Sequence, residues 1–179
     1  MAPAASAQSL GSPFSYNYLD ISYVKSDITS TLPQLDGYRG RLSFDSPDKA
    51  RILVEWEETE EKANTVEYKR QDFMAGIGFI GGQNMSMDLI LDFKYLRGER
   101  SVAGINTTKS GYGIELGLRG LVTEVIEVDA SIEYREYWVS EFGGRLGSQY
   151  QITPAFSVGA QYSYFDTEQK LSAGVRYSM

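Results

Sequence analysis

Ten short stretches of this chain alternate apolar and polar residues, and they are joined in rotation by tight turns and longer polar loops. Side chains point to opposite faces at successive strand positions, so each stretch builds a strand with one apolar and one charged face. Residues 86–97 show it best: Met87, Leu89, Leu91, Phe93 and Tyr95 oppose Asp88, Ile90, Asp92 and Lys94. A closed barrel satisfies both faces at once, with hydrocarbon against one and water or ion pairs against the other.

The pattern predicts strands over residues 15–25, 37–45, 50–58, 66–80, 86–97, 111–121, 126–137, 142–151, 156–164 and 170–179. Strands of this order suit a tilted membrane crossing, which needs about 9–11 residues. Ser46-Pro47-Asp48-Lys49, with Pro at the favoured second position, reads as a tight turn. So do Gly81-Gly82-Gln83-Asn84, residues 122–125 and Ile152-Thr153-Pro154-Ala155. The longer connections are residues 26–36, the acidic 59–65, and 98–110, the longest and most polar. An even strand number places both termini and the short turns on one side. Weak alternation in the first and eighth stretches leaves eight strands as the alternative to ten. One domain is expected, a transmembrane antiparallel up-and-down all-β barrel over residues 14–179. Residues 1–13 are expected to be a tail, in which Ala5-Ser6-Ala7 has the small-x-small form of a signal-peptidase site.

Composition excludes several functions. There is no cysteine, hence no disulfide framework, and no histidine. A net charge of −7 argues against nucleic-acid binding, which needs a basic stripe. No run approaches the roughly 18 apolar residues of a membrane helix. The mean hydropathy of −0.31 is what an alternating barrel would also give.

Two features predict that the apolar face points outward. Aromatics on that face gather at strand ends: Phe44, Phe79, Tyr150, Phe156 and Tyr177 toward the short turns, and Tyr23, Tyr38, Trp56, Tyr95, Tyr112, Tyr134 and Tyr164, with Phe142, toward the loops. Two such belts match the two membrane–water interfaces. The opposite face is heavily charged. Asp20, Arg39, Arg41, Glu55, Asp72, Asp88, Asp92 and Lys94 lie on it in the first half of the chain. Glu115, Arg119, Asp129, Glu133, Arg135, Arg145 and Arg176 lie on it in the second. These are the expected lumen-lining charges, since each Arg or Lys near a bilayer midplane would cost about 2–4 kcal/mol. Gly113, Gly117, Gly159 and Gly174 on the polar face leave room for long side chains crossing a narrow lumen.

Over residues 14–179 the chain resembles the small outer-membrane β-barrels of Gram-negative bacteria. The opening Phe14-Ser15-Tyr16-Asn17-Tyr18-Leu19-Asp20-Ile21-Ser22-Tyr23-Val24 looks like a first strand of porin-like members. The closing Leu171-Ser172-Ala173-Gly174-Val175-Arg176-Tyr177-Ser178-Met179 is similar to the C-terminal signal read by the barrel-assembly machinery, except that it ends in Met rather than an aromatic. The resemblance implies an outer-membrane location, with membrane lipid, lipopolysaccharide and the assembly machinery as partners, and a monomer. The family's enzymes rely on histidine as base or proton carrier, which this chain lacks. No cofactor, metal or catalytic residue is therefore expected. Asp88/Asp92 and Asp129/Glu133 stand four apart on single strands, about 13 Å, too far for an acid–base pair. Glu55, Glu57, Glu58, Glu60 and Glu61 could bind a divalent cation, or simply form a solvated acidic loop tip. The expected role is a non-enzymatic barrel, structural or a narrow porin-like path for small hydrophilic solutes or cations. Alternatives are an interaction protein acting through its outer loops and a soluble lipid-binding barrel.

Overall fold

The computed structural model describes residues 14–28, 34–46, 48–63, 66–84 and 87–179. The tail before residue 14, with Ala5-Ser6-Ala7, lies outside them. Ten strands follow in order: β1 Tyr18–Ile28, β2 Leu35–Asp45, β3 Ala50–Ala63, β4 Val66–Asn84, β5 Met87–Val102, β6 Ile105–Leu121, β7 Ile126–Glu136, β8 Ser140–Gln151, β9 Phe156–Phe165 and β10 Glu168–Ser178. Each pairs antiparallel with its sequence neighbours. β1 also pairs with β10, from Tyr18↔Ser178 to Ile28↔Glu168, so the sheet closes into a barrel. Closure removes the free edges that an open ten-stranded sheet would expose. The weakly alternating β1 and β8 are both paired on two sides, which settles the strand count at ten rather than eight.

Several boundaries differ from the sequence expectation for one physical reason. Above the apolar belt a strand is polar on both faces, so alternation disappears although pairing continues. Residues 98–110, expected as the longest loop, are strand: β5 and β6 stay in register from Met87↔Gly120 to Val102↔Ile105. Their connection is only Ala103-Gly104, with φ of 51° and 81°. Two successive left-handed residues make the mirror-image turn whose twist matches a hairpin. The acidic stretch is paired too, with β3 and β4 in register as far as Ala63↔Val66. β1 runs on to Ile28, which shortens the expected loop at residues 26–36. The expected turn at residues 81–84 is the end of β4, where the register shifts between Gly81 and Asn84. Strands β4, β5 and β6, of 19, 16 and 17 residues, therefore form a tall wall on one side, whereas β9 has 10.

The alternation resolves as apolar outside, charged inside. Ile21 is 58% exposed and Leu171 56%, whereas Asp92 is 1% and Lys94 3% exposed. Leu89, Ile114, Leu116, Val158 and Val175 all stand on the outer surface. Buried apolar side chains form two small clusters within the barrel. Phe14 and Tyr16 pack with Ile80, Ile90 and Leu121 at the short-turn end. Leu53, Met74 and Leu96 pack with Tyr137 farther toward the loops.

Candidate functional site: the barrel interior

Inward residues meet across neighbouring strands, and the register sets acid against base: Arg41 opposes Glu55, and Asp20 opposes both Arg41 and Arg176. Arg41 lies 2.6 Å from Glu55, and Arg119 holds Glu127 with two donors at 2.7 and 2.8 Å. Arg135 donates to Glu141 at 2.6 Å. Arg51 grips Asp92 with both Nε and a terminal nitrogen. Such forked pairs combine charge with fixed geometry.

Other pairs bridge strands that are far apart around the ring. Arg70 on β4 reaches Glu168 on β10 at 2.7 Å, and Lys170 on β10 reaches Glu57 on β3 at 2.5 Å. Arg176 on β10 meets Glu127 on β7 at 3.3 Å. Lys94 on β5 joins Glu115, and Glu133 on β7 at 2.9 Å; Arg145 on β8 joins the same two carboxylates at 3.1 and 2.5 Å. The β4–β10, β3–β10 and β7–β10 pairs cross the lumen itself. A barrel of about this strand number has an interior that side chains can largely fill, and here they do. Among the described residues one cavity of about 60 Å³ remains, lined among others by Arg41, Glu115, Asp129, Arg145 and Gln161. It has room for a few water molecules. Gly147 makes the close packing possible, because a Cβ there would lie 2.5 Å from Asp129 Oδ1.

Side chains enter the bore from both ends. At the short-turn end, residues 14–16 do not extend β1 but turn into the barrel. Tyr16 donates its hydroxyl to Asp88 Oδ2 at 2.9 Å. Arg119 donates to the Ser15 carbonyl at 3.1 Å and lies 4.8 and 4.7 Å from the Phe14 and Tyr16 ring centres. At the loop end, Tyr137 in the β7–β8 turn donates to Asp72 Oδ1 at 2.9 Å. Burial, and then the Asp72 charge, push this phenol above its ordinary pKa.

All fifteen charges named from the sequence point inward, though not into one site. Arg39 hydrogen-bonds Ser22 and Ser172 rather than a carboxylate. Asp129 makes no ion pair among the described residues and borders the cavity. Asp88 and Asp92 serve different partners, Tyr16 and Arg51. The β3 glutamates do not converge, because strand alternation splits them. Glu55 and Glu57 turn inward to Arg41 and Lys170, while Glu58 pairs outside with Lys69. Among the described residues no acidic group is arranged to hold a metal ion. Sequence reasoning missed Arg51, Arg70, Glu168 and Lys170. Phase alone could have found them, since Arg51 keeps step with Glu55, Arg70 with Asp72, and Lys170 with Arg176.

The thirteen aromatics singled out at strand ends are all exposed on the outer wall. Several adjoin: Tyr23 meets Tyr38 edge-on at 5.7 Å, and Phe156 lies 5.0 Å from Tyr177. Trp56 opposes Phe73, Tyr95 opposes Tyr112 and Tyr134 opposes Phe142.

An apolar outer belt, a charged interior and a closed ten-stranded meander define the chain as an outer-membrane-type β-barrel. No family of known proteins and no characterised relative matches the sequence. Solved structures do match in shape. The NanC porin aligns with a TM-score of 0.53 at 9% identity, over 90% of this chain and 100% of that one. The KdgM porin in complex with disordered oligogalacturonate aligns at 0.51 and 12%, over 90% and 99%. The β domain of the Bordetella autotransporter Brka aligns at 0.53 and 10%, over 93% and 100%. At these identities the likeness is one of fold.

Proposed function

We propose that the protein is a non-enzymatic β-barrel of a bacterial outer membrane whose lumen is closed at rest. In this reading it is a structural scaffold that becomes a narrow, porin-like path for small hydrophilic solutes or cations only when its N-terminal plug leaves. The carrying observation is the interior: ion pairs spanning β4–β10 and β3–β10 fill the bore, and Phe14 and Tyr16 stop one end. The outward apolar belt and its flanking aromatics suit hydrocarbon and interfaces, where an amphipathic ring is half wet. Membrane lipid and lipopolysaccharide are then the surrounding partners, and the assembly machinery inserts a monomer. An apolar ligand would find a charged interior, which disfavours a soluble lipid carrier. The absence of histidine and the engagement of most buried carboxylates by cations leave no poised acid or base.

Planar-bilayer recording tests the reading. The native chain should be silent, and the Phe14→Ala/Tyr16→Ala pair should give discrete cation-selective steps. Stable open-pore steps from the native chain would refute the closed lumen.

A further inference from the structure

At the loop-end mouth, the inner face of the tall wall carries a basic row, of which the interior network pairs only the first member, Arg70. Arg70 on β4 and Arg100 on β5 are directly opposed across the strands, and Lys109 on β6 is a diagonal neighbour of Arg100, which itself opposes Thr107. Like charges directly opposite one another destabilise a sheet. Asp72 and Glu168 take up the Arg70 charge. Arg100 and Lys109 have no such partner. Among the described residues neither makes a hydrogen bond or an ion pair, and both lie over the Trp138 ring, at 4.1 and 5.7 Å from its centre.

A second observation points the same way. Tyr68, one inward position beyond Arg70, is 5% exposed, and its Oη has no hydrogen-bond partner; Arg100 Nε is buried and equally unpartnered. Buried polar atoms of this kind are rare, because each forfeits its hydration without compensation. Two buried groups able to donate and an exposed ammonium, gathered on adjacent strands and not themselves hydrogen-bonded to the nearby Asp72 and Glu168, match the needs of an oxyanion. The aromatic plane of Trp138 holds the Arg100 guanidinium in place. We infer that this mouth is a binding site for a small soluble oxyanion, a phosphate or carboxylate group, received by Tyr68, Arg100 and Lys109 beside Trp138. The site faces the bore and not the outer wall, so its ligand comes from solution rather than from a lipid headgroup. The inference is independent of whether the lumen conducts.

Trp138 supplies the readout. The chain has two tryptophans, and Trp56 on the outer wall can be replaced, so Trp56→Phe leaves Trp138 as the sole emitter. With this barrel in neutral detergent, inorganic phosphate at constant ionic strength should change the Trp138 emission saturably, and chloride should not. Lys109→Gln, on an exposed side chain, should weaken the response about tenfold, as should Arg100→Gln. Arg97→Gln, outward on the same strand, should leave it unchanged. Folding of each variant is checked by its heat-dependent gel migration. No saturable change, an equal response to chloride, or no effect of Lys109→Gln would overturn the proposal. So would a response that appears only in lipopolysaccharide vesicles without added inorganic phosphate, because the source would then be lipid.

Discussion

Replacing Leu116 with arginine tests the facing of the whole barrel. Leu116 lies within the apolar belt of β6 on the outer wall, opposite Leu91 on β5 and Ile132 on β7. If hydrocarbon surrounds that position, an arginine there costs about 2–4 kcal/mol. Each 1.4 kcal/mol is roughly tenfold in an equilibrium constant, so the folding equilibrium constant should fall by about thirtyfold to a thousandfold. Gln161→Lys is the matched inward change. Gln161 borders the cavity shared with Asp129, and it opposes Gly147, which in turn opposes Asp129. A lysine there gains a carboxylate without a cation of its own, and the cost should stay within about 1 kcal/mol. The assay is refolding from urea into phosphatidylcholine vesicles, with the folded fraction read from migration of unheated and boiled samples and stability from urea titration. Equal losses from the two substitutions, or a larger loss from Gln161→Lys, would refute the assignment of lipid to the Leu116 side.

Two further substitutions probe separate parts of the argument. Asp92→Asn strands the Arg51 guanidinium in the bore and should cost about 3–5 kcal/mol in vesicle unfolding, whereas the Arg51→Met/Asp92→Leu pair should recover most of it. If the pair is as damaged as the single change, the ion pair itself and not the orphaned charge supports the fold. Ala103 holds φ at 51°, where a Cβ is strained, so Ala103→Gly should stabilise the β5–β6 hairpin tip by about 0.5–1 kcal/mol. Slower amide exchange from Arg100 to Thr107 would register the gain, and faster exchange would contradict the turn geometry.

The barrel was legible because lipid and lumen impose a period of two, and ten segments of this chain obey it. The inward direction of residues such as Asp92, Lys94 and Glu133 followed from the same alternation. Residues 98–110 were not legible as strand. Once a strand rises beyond its apolar belt, water touches both faces, and β5 and β6 are held there by backbone pairing that leaves no pattern in the side chains. The plug was hidden for the opposite reason. Phe14, Tyr16 and Tyr18 continue the rhythm of β1, so nothing local says that the chain leaves the sheet and folds inward before Asn17, whose carbonyl still accepts the Met179 N–H.

Periodicity alone thus determined the class of fold, the strand directions and which side chains face the bore. Which of those charges meet was decided only in three dimensions. Arg70 and Glu168, or Glu57 and Lys170, are about a hundred residues apart, brought together by closure of β1 on β10 and by the stagger of each hairpin. Register fixes such pairings to within one residue, and alternation carries no register, so the blocked lumen and the unneutralised mouth at Arg100 belong to the tertiary structure.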